Sequence, residues 1–505
     1  MRKNIFCAAL ALIGLASCNN EADLVSPDPS GETVYMQVAV SLPSSGQTRT
    51  TSPSSTTEIG KDVENKVSSL TVYLVNTSTN VMSSPIPAST SGLQANGYYT
   101  TNPFPTTALT KGDTYKVYVV VNEGTTITGV NDGKTVSDIN FKSTGSIAEA
   151  DKFMMTGVGS GTVTVDRELP TYTKDNPFDA GLVKVERAVA RFDYKQGVVD
   201  DAHNVDAATI TIKSVALINV SNSFYYFKRV SDDGRMDGLN MAIGGAETAT
   251  NYVIDHNWDT KTTSGTYFLN YMTGALPYGG ATYTELVSLS DEDNTWEGGE
   301  ASLDKGGYKI WTYCTENTIA APTSKQINGL STGVVFKAQI TGGAFNAADD
   351  GDKVYILHNK VVGDWTAVLA SADTDVKNAI AGLDPDETKN TPATLQNAGF
   401  TRYTADASGN YYAYYIYWNQ HNNNGNPDAM GAMEFAVVRN NVYKLSVTEI
   451  TKFGHPNDPI NPDPTDPDPD PEYPVPTDPD EDENIYMKVK VEILPWTVRV
   501  NDIQF

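Results

Sequence analysis

The sequence has little of what most alternative functions require. Among 505 residues there are three cysteines, five histidines, and 36 Lys and Arg against 62 Asp and Glu, a formal net charge of −26. So few cations argue against nucleic-acid binding, because that affinity rests on Lys and Arg neutralising phosphates. The same balance argues against electrostatic docking on an anionic membrane. The composition is that of an acidic, solvated chain.

Motifs for catalysis are also missing. The chain contains no P-loop and no G-x-G-x-x-G. An acidic loop at 346–353 is similar to a calcium loop, but an EF-hand needs Glu at position 357, where Leu stands. A looser calcium site on oxygen ligands is the alternative there. The histidines lack metal-ligand spacing and are predicted to be surface or loop residues: His203, His256, His358, His421 and His455. We therefore predict no enzyme, no cofactor and no metal site.

The first residues form a targeting signal. Arg2 and Lys3 precede an apolar run too short to anchor stably in a bilayer, and Leu15-Ala16-Ser17-Cys18 resembles a bacterial lipobox. We predict a signal peptide over 1–17 and lipidation of Cys18, against the alternative of a plain secretory signal. Cys314 is the only thiol beyond residue 18, so the mature fold is expected to rely on core burial without a disulfide.

Between its two ends, the sequence predicts mostly β-strands. Runs of alternating or Val/Ile-rich residues recur at short spacing, and helical patterns are few and short, at 373–383 and 391–400. Such a pattern predicts an all-β fold of antiparallel β-sandwiches rather than a parallel α/β sheet. We place two domains at 50–194 and 195–452.

The composition changes abruptly after residue 452. We assign 453–484 as a linker; its residues 455–480 are rich in Pro and Asp, and as a polyproline-II spacer they would reach ~80 Å when fully extended at ~3.1 Å per residue. It ends at only 485–505, too short a segment to bury a core of its own. That segment is strongly strand-forming, so we expect it to pair with something else.

The tail nearly repeats a strand at the head of the chain. VYMQVAVSL at 34–42 and IYMKVKVEI at 485–493 alternate in the same phase, with Tyr35 and Tyr486 at the same step. Similar β-propensity would make any two amphipathic strands alike, which is the alternative explanation. Context favours a shared role, because 43–57 is a Ser/Thr-rich loop with one basic residue, Arg49. The matching inward faces are Val34, Met36, Val38, Val40 and Leu42, and Ile485, Met487, Val489, Val491 and Ile493.

This arrangement predicts strand replacement. A cut after Arg49 would let the propeptide 18–49 leave, and the tail of a second subunit would fill the groove as an added strand. Because the donor and the acceptor lie at different places on each subunit, the contact does not close and makes a filament.

Several segments in order along the chain resemble the Bacteroidales type V fimbrillins, most closely the shaft subunit of the short (minor) fimbriae. They are LASC (15–18), VYVVVN (117–122), FMMTG (153–157), VKVERAVAR (183–191), VVRNNVYKLSV (437–447), the Asp/Pro linker and KVEILPWTV (490–498). The resemblance implies two transthyretin-like β-sandwich domains, lipoprotein export to the outer membrane on Cys18, and removal of the N-terminal segment after Arg49 by an Arg-specific extracellular protease. It also implies donor-strand exchange with copies of the same chain, and anchor and tip subunits as partners in a cell-surface fimbria.

The main rival is a surface lipoprotein that binds carbohydrate. YYAYYIYW at 411–418 offers aromatic rings on which sugars stack. The simpler interpretation is a core strand with alternate tyrosines buried and their hydroxyls hydrogen-bonded. A sugar-binding module has no use for a tethered donor strand, so the tail favours the fimbrial subunit.

Overall fold

In the computed structural model, strands form most of the regular structure. It describes residues 33–42, 58–93, 98–123, 141–142, 147–220, 223–234, 241–245, 247–248, 251–255, 287–289, 308–318, 331–346, 348–422, 425–426, 431, 433–458 and 487–497. Within these residues no helix is both long and apolar enough to cross a membrane.

The first group of strands precedes residue 188 and is numbered in chain order. These are β1 (Val34–Ser41), β2 (Glu58–Ile59), β3 (Leu70–Asn76), β4 (Ile86–Ala88), β5 (Thr90–Leu93), β6 (Tyr99–Thr101), β7 (Phe104–Thr106), β8 (Thr114–Val121), β9 (Phe141–Lys142), β10 (Met155–Thr164) and β11 (Phe178–Arg187). A short helix, α1 (Asp62–Asn65), lies between β2 and β3.

The second group follows a two-residue break. These strands are β12 (Ala190–Tyr194), β13 (Ala202–Val205), β14 (Ala208–Ile218), β15 (Ser223–Phe224), β16 (Arg229–Ser231), β17 (Met241–Ile243), β18 (Tyr252–Val253), β19 (Val287–Ser288), β20 (Lys309–Cys314), β21 (Gly333–Thr341), β22 (Lys353–Leu357), β23 (Lys360–Gly363), β24 (Phe400–Thr404), β25 (Tyr411–Trp418), β26 (Asn441–Ile450) and β27 (Met487–Thr497).

A nine-stranded sheet forms the N-terminal unit. Its order is β4-β3-β8-β10-β11-β1-β6-β5, with β7 also paired to β1. Side chains from both ends of this order share one core, including Val72 of β3, Val119 of β8, Val183 of β11 and Phe104 of β7. The sheet therefore curls around that core, and β1 lies inside the strand order rather than at its edge.

Two further sheets face each other in the C-terminal unit. One has the order β2-β27-β26-β12-β20, and the other has the order β13-β14-β21-β25 with β19 paired to β14. Their shared core includes Phe192, Ile210, Phe336, Tyr415 and Leu445. The all-β fold class is confirmed, while the domain bounds stay a prediction. Strand β12, which we assigned to the first domain, pairs with β26 and β20 of this second unit.

A helical insertion extends the C-terminal unit. The hairpin of β22 and β23 leads into α2 (Trp365–Ala370), α3 (Thr374–Ile380) and α4 (Pro392–Asn397), and β24 returns to pair with β22. The helical patterns at 373–383 and 391–400 thus predicted α3 and α4 correctly. Asp373 caps α3 by accepting from the backbone N–H groups of Asp375 and Val376.

Two patterns that read as single strands are broken. The run 182–194 is two strands, because the chain crosses from one sheet to the other between Arg187 and Ala190. The run 353–362 is a hairpin, because His358 and Asn359 take left-handed backbone conformations with φ of 47° and 69°. Alternation alone does not reveal either break, since apolar residues continue on both sides of it.

Candidate strand-exchange site

The predicted plug strand is β1, and its inward face is buried. Val34, Met36, Val38 and Val40 are at most 1% exposed and Leu42 is 8% exposed. All five belong to the core of the N-terminal sheet. Their intervening neighbours Tyr35, Gln37 and Ala39 are half-buried, so the strand alternates as the sequence predicts.

Both edges of β1 are hydrogen-bonded. On one side it runs parallel to β11, with Met36 opposite Phe178 and Val40 opposite Val183. On the other side it runs antiparallel to β7 and then to β6. Removing β1 would therefore expose an apolar channel and two rows of unpaired backbone groups at once.

One side chain joins β1 to β6 where the neighbouring strand changes from β7 to β6. The Thr101 hydroxyl, 1% exposed, accepts from the Val38 backbone N–H at 3.0 Å, and the Gln37 side-chain amide donates to the Thr101 carbonyl at 2.8 Å. The Tyr35 N–H donates to the Tyr172 carbonyl at 2.9 Å. Sequence analysis did not identify Thr101, because a lone threonine carries no signal until its neighbour is known.

The tail strand is β27, and it pairs with a strand of the same chain. It runs antiparallel to β26 from Met487 opposite Ile450 to Pro495 opposite Asn441. We expected 485–505 to pair with something outside the two domains; in this structure 487–497 pairs with the C-terminal unit. Met487 packs against the core of that unit. Exchange between subunits therefore requires β27 to leave β26 first.

In the register of β27 with β26, most apolar residues lie opposite apolar ones, and two basic–acidic pairs are in register. The apolar pairs are Tyr443 with Ile493, Leu445 with Val491 and Val447 with Val489; the charged pairs are Lys444 with Glu492 and Glu449 with Lys488. Such cross-strand pairs specify a register.

Three of the predicted site residues lie outside the described residues. They are Cys18, Arg49 and Ile485. Along the sequence, residues 43–57, which include Arg49, separate Leu42, just after β1 of the N-terminal sheet, from Glu58, in the C-terminal one. The structure thus brings the plug strand and the tail strand into one molecule but into two different sheets.

The segment VERAVAR (185–191) contributes Arg191 to a buried ion network. The Arg191 guanidinium donates to the Glu64 carboxylate at 3.1 and 3.2 Å and to both oxygens of Asp193 at 2.8 Å. The Tyr313 hydroxyl donates to Glu64 at 2.6 Å. Burial opposes the charge on Arg191, but Asp193 and Glu64 raise its pKa well above the ordinary value. Arg187 donates to the Glu64 carbonyl at 3.3 Å, and burial lowers the pKa of Arg187 to about 9.

The turn at Arg439 and Asn440 joins the two units. Arg439 donates to Glu316 at 2.7 Å and to the carbonyls of Tyr225 and Tyr226 at 2.6 and 2.7 Å. The Asn440 side-chain oxygen accepts from the Arg187 backbone N–H at 3.2 Å. The role of these residues is to fix the junction between the sheets.

One of the histidines does not lie where we expected: His203, in β13, is 7% exposed, so its prediction as a surface or loop residue is wrong. His421 lies outside the strands, as predicted for a loop residue, but it is only 4% exposed. His421 is held between the Tyr443 hydroxyl, at 2.8 Å from Nδ1, and the Glu247 carboxylate, at 2.6 Å from Nε2. A histidine satisfied on both nitrogens packs in a core, which spacing along the sequence does not show. Across the described residues no group of three or more His, Cys, Asp or Glu side chains is placed to hold a metal ion.

The aromatic run 411–418 is strand β25. Tyr411 and Tyr415 are buried in the core, and the Tyr415 hydroxyl donates to the Lys452 carbonyl at 3.1 Å. On the other face the Lys337 ammonium lies 4.0 Å from the centroid of the Tyr412 ring. This cation–π contact occupies a ring face on which a sugar would stack.

Comparison with known families gives two matches on this chain. The model "Major fimbrial subunit protein (FimA)" matches residues 35–213, and the model "Major fimbrial subunit protein type IV, Fimbrillin, C-terminal" matches residues 409–502. Together they cover more than half of the chain, and they include β1 and β27. The chain belongs to the fimbrillins, the family of major fimbrial subunits. It is a structural, non-enzymatic subunit of a cell-surface fimbria.

Solved structures give distant likenesses. A putative cell adhesion protein from Parabacteroides distasonis is 13% identical with a TM-score of 0.42, covering 92% of this chain and 100% of its own. A fimbrilin (fimA) from Porphyromonas gingivalis is 14% identical with a TM-score of 0.39, covering 92% and 98%. The tip fimbrial protein Mfa3 from the same organism is 11% identical with a TM-score of 0.37, covering 92% and 100%. The comparison with curated proteins gave no match.

Proposed function

We propose that this chain is the shaft subunit of a fimbria that polymerises by donor-strand exchange. It is exported as a lipoprotein on Cys18, cut after Arg49 by an Arg-specific extracellular protease, and joined to the next copy through its C-terminal strand. Anchor and tip subunits complete the fibre. The finished subunit lies on the cell surface, and its precursor is held at the outer membrane by the lipid.

One observation carries this proposal. Strand β1 is paired on both sides within the N-terminal sheet and buries all five predicted apolar side chains. Its only covalent link to the residues that follow runs through 43–57, which contains Arg49. A strand that completes a core and can be separated from the following chain by one proteolytic cut is suited to removal and replacement.

The magnitudes favour replacement over an empty channel. Losing five buried apolar side chains costs roughly 1.5–3 kcal/mol each, before any unpaired backbone group is counted. An incoming strand with the same apolar pattern buries the same surface again. The free energy gained from that burial offsets the ~4–15 kcal/mol cost of the translational and rotational freedom lost on association.

The Arg49→Ala variant tests the proteolytic step. It should be exported but keep residues 18–49 and form no fibres, because β1 stays in the sheet. Lys61→Ala is the matched control: it keeps the backbone N–H of Lys61 that donates to Glu64, and it should assemble normally, since an Arg-specific protease does not cut at Lys. N-terminal sequencing measures the cleavage, and negative-stain microscopy measures fibre assembly. Normal fibre yield from Arg49→Ala would contradict the proposal.

The lipid has a separate test. Cys18→Ala should abolish incorporation of labelled palmitate and leave the product in the periplasm. Continued labelling would show that Cys18 is not the lipidated residue.

The carbohydrate alternative receives no support from β25. Its outer tyrosine face is occupied by Lys337, and its inner face is core. A glycan array probed with the precursor, with Tyr412→Ala as the matched variant, should show no binding that depends on Tyr412.

A further inference from the structure

The segment just after the cleavage loop contacts the tail strand. Glu58 and Ile59 of β2 run parallel to β27, opposite Trp496 and Thr497. In the described part of the chain this is the only strand paired to the outer edge of β27, whose inner edge is covered by β26. The cleavage loop therefore ends on the strand that exchange has to release.

The same segment is fixed to the protein interior a few residues further on. Glu64 of α1 is fully buried, and its carboxylate accepts from Arg191 and from the Tyr313 hydroxyl. It also accepts from the Lys61 backbone N–H at 2.6 Å. This anchor lies downstream of Arg49, so cutting the loop leaves it in place.

The two ends of the loop are therefore held differently. Upstream, Leu42 is held by the ladders of β1 in the N-terminal sheet. Downstream, Gly60 onward is held by the Glu64 network, and Glu58 and Ile59 bridge from that anchor to β27. While the chain is intact, β2 is tethered on both sides. A cut after Arg49 leaves it tethered on one side, with a free N-terminus eight residues upstream of Glu58. A two-residue pairing this close to a chain end frays.

We propose that residues 58–65 form a latch that holds the tail strand on β26 until the chain is cut upstream, so that a single cleavage both frees the plug strand and loosens the tail. This inference rests on the proposed strand exchange, and it adds that the tail strand is released only after the cut. It keeps an uncut subunit from presenting a free donor strand. The anchor at Glu64 holds α1 in place when 18–49 departs.

Hydrogen exchange of the peptide 487–497 measures the latch directly. To make the test independent of the natural protease, a site for a sequence-specific protease replaces residues 46–52 of the full-length precursor. Cutting there should raise exchange in 487–497 roughly tenfold, the change produced by losing about one or two net backbone hydrogen bonds. Exchange in β8, remote from β27 in the strand order, is the internal reference and should not change.

A backbone variant separates the latch from the cut. Ile59→Pro fixes φ and removes a backbone N–H from the two-residue strand β2, which disfavours strand pairing, while Ile59→Ala shortens the side chain and keeps that N–H. In the uncut precursor, Ile59→Pro should raise exchange in 487–497 to the level of the cut protein, and Ile59→Ala should not.

Two results would overturn the latch. One is equal exchange in 487–497 before and after the cut. The other is equal exchange in Ile59→Pro and Ile59→Ala with β8 protected in both. Either result leaves strand exchange itself standing, because that is read separately from the Arg49→Ala variant. Conversely, a latch that opens on cutting in a protein whose Arg49→Ala variant still forms fibres would overturn the site of maturation and keep the latch.

Discussion

The plug strand β1 and the tail strand β27 have similar sequences but different positions. The plug strand is paired on both edges inside a nine-stranded sheet. The tail strand has one long partner, β26, and touches β2 over only two residues. A strand inside a sheet leaves only when two ladders break, whereas a strand near the rim can peel away. Under the proposed strand exchange, this difference accounts for a plug strand that departs only after a proteolytic cut and a tail strand that departs once a short contact loosens.

The largest expected effect is on the plug strand. Val38→Asp places a carboxylate where the side chain is 0% exposed, which costs several kcal/mol because no buried partner is provided. Ala39→Asp, one step along on the half-buried face, is the matched control and should cost far less. Denaturant unfolding of the uncut precursor measures both. Equal losses would mean that β1 does not contribute its inward face to the core.

The next largest expected effect is on the stability of the segment 58–65, which Glu64 anchors. Glu64→Gln removes the charge that faces Arg191, and breaking a buried ion pair typically costs about 3–5 kcal/mol. Asp62→Asn, on the exposed side of the same short helix, should cost under about 1 kcal/mol. Thermal unfolding gives the comparison. If Asp62→Asn is as damaging as Glu64→Gln, the buried network is not what anchors the segment.

A smaller effect concerns the start of the linker to the tail. His455 pairs with Tyr414 through both backbone bonds at 2.8 Å, and burial lowers the pKa of its side chain to about 4. The unfolded chain takes up the proton near pH 6.5 and the folded chain does not, so stability falls as the pH drops from about 6.5 to 4. The expected loss is at most about 3 kcal/mol. The pH dependence of the free energy of unfolding should flatten in His455→Gln; an unchanged slope would contradict the assignment.

The sequence predicted the faces of β1 but not its partners. Alternation in period two identifies which side chains point inward, and all five were found buried. It does not state that β1 lies parallel to β11, more than a hundred residues away, because the choice of partner depends on long-range packing. Three pairs, β1 with β11, β12 with β26 and β2 with β27, are parallel, which the expectation of antiparallel sandwiches did not include.

For the tail strand β27, too, the sequence did not predict the pairing partner. Its strand character was evident from residues 485–493, but its pairing with β26 was not, because the Pro/Asp linker suggested a segment held away from the domains. The register with β26 becomes visible only when Lys444, Glu449 and their partners Glu492 and Lys488 are placed side by side. Likewise Glu64 could not be singled out, since one glutamate in a short polar stretch looks like a solvated residue.

The most direct test of strand exchange compares two neighbouring positions in the tail. Val489 lies opposite the fully buried Val447, and Lys488 lies opposite the exposed Glu449. In protein cut after Arg49, Val489→Asp should abolish fibres because it puts an unpaired carboxylate on the face that docks, while Lys488→Asp should assemble. Fibre yield by negative-stain microscopy is the measurement. If Val489→Asp polymerises as well as Lys488→Asp, the tail strand does not dock by this face and the account of donor-strand exchange is wrong.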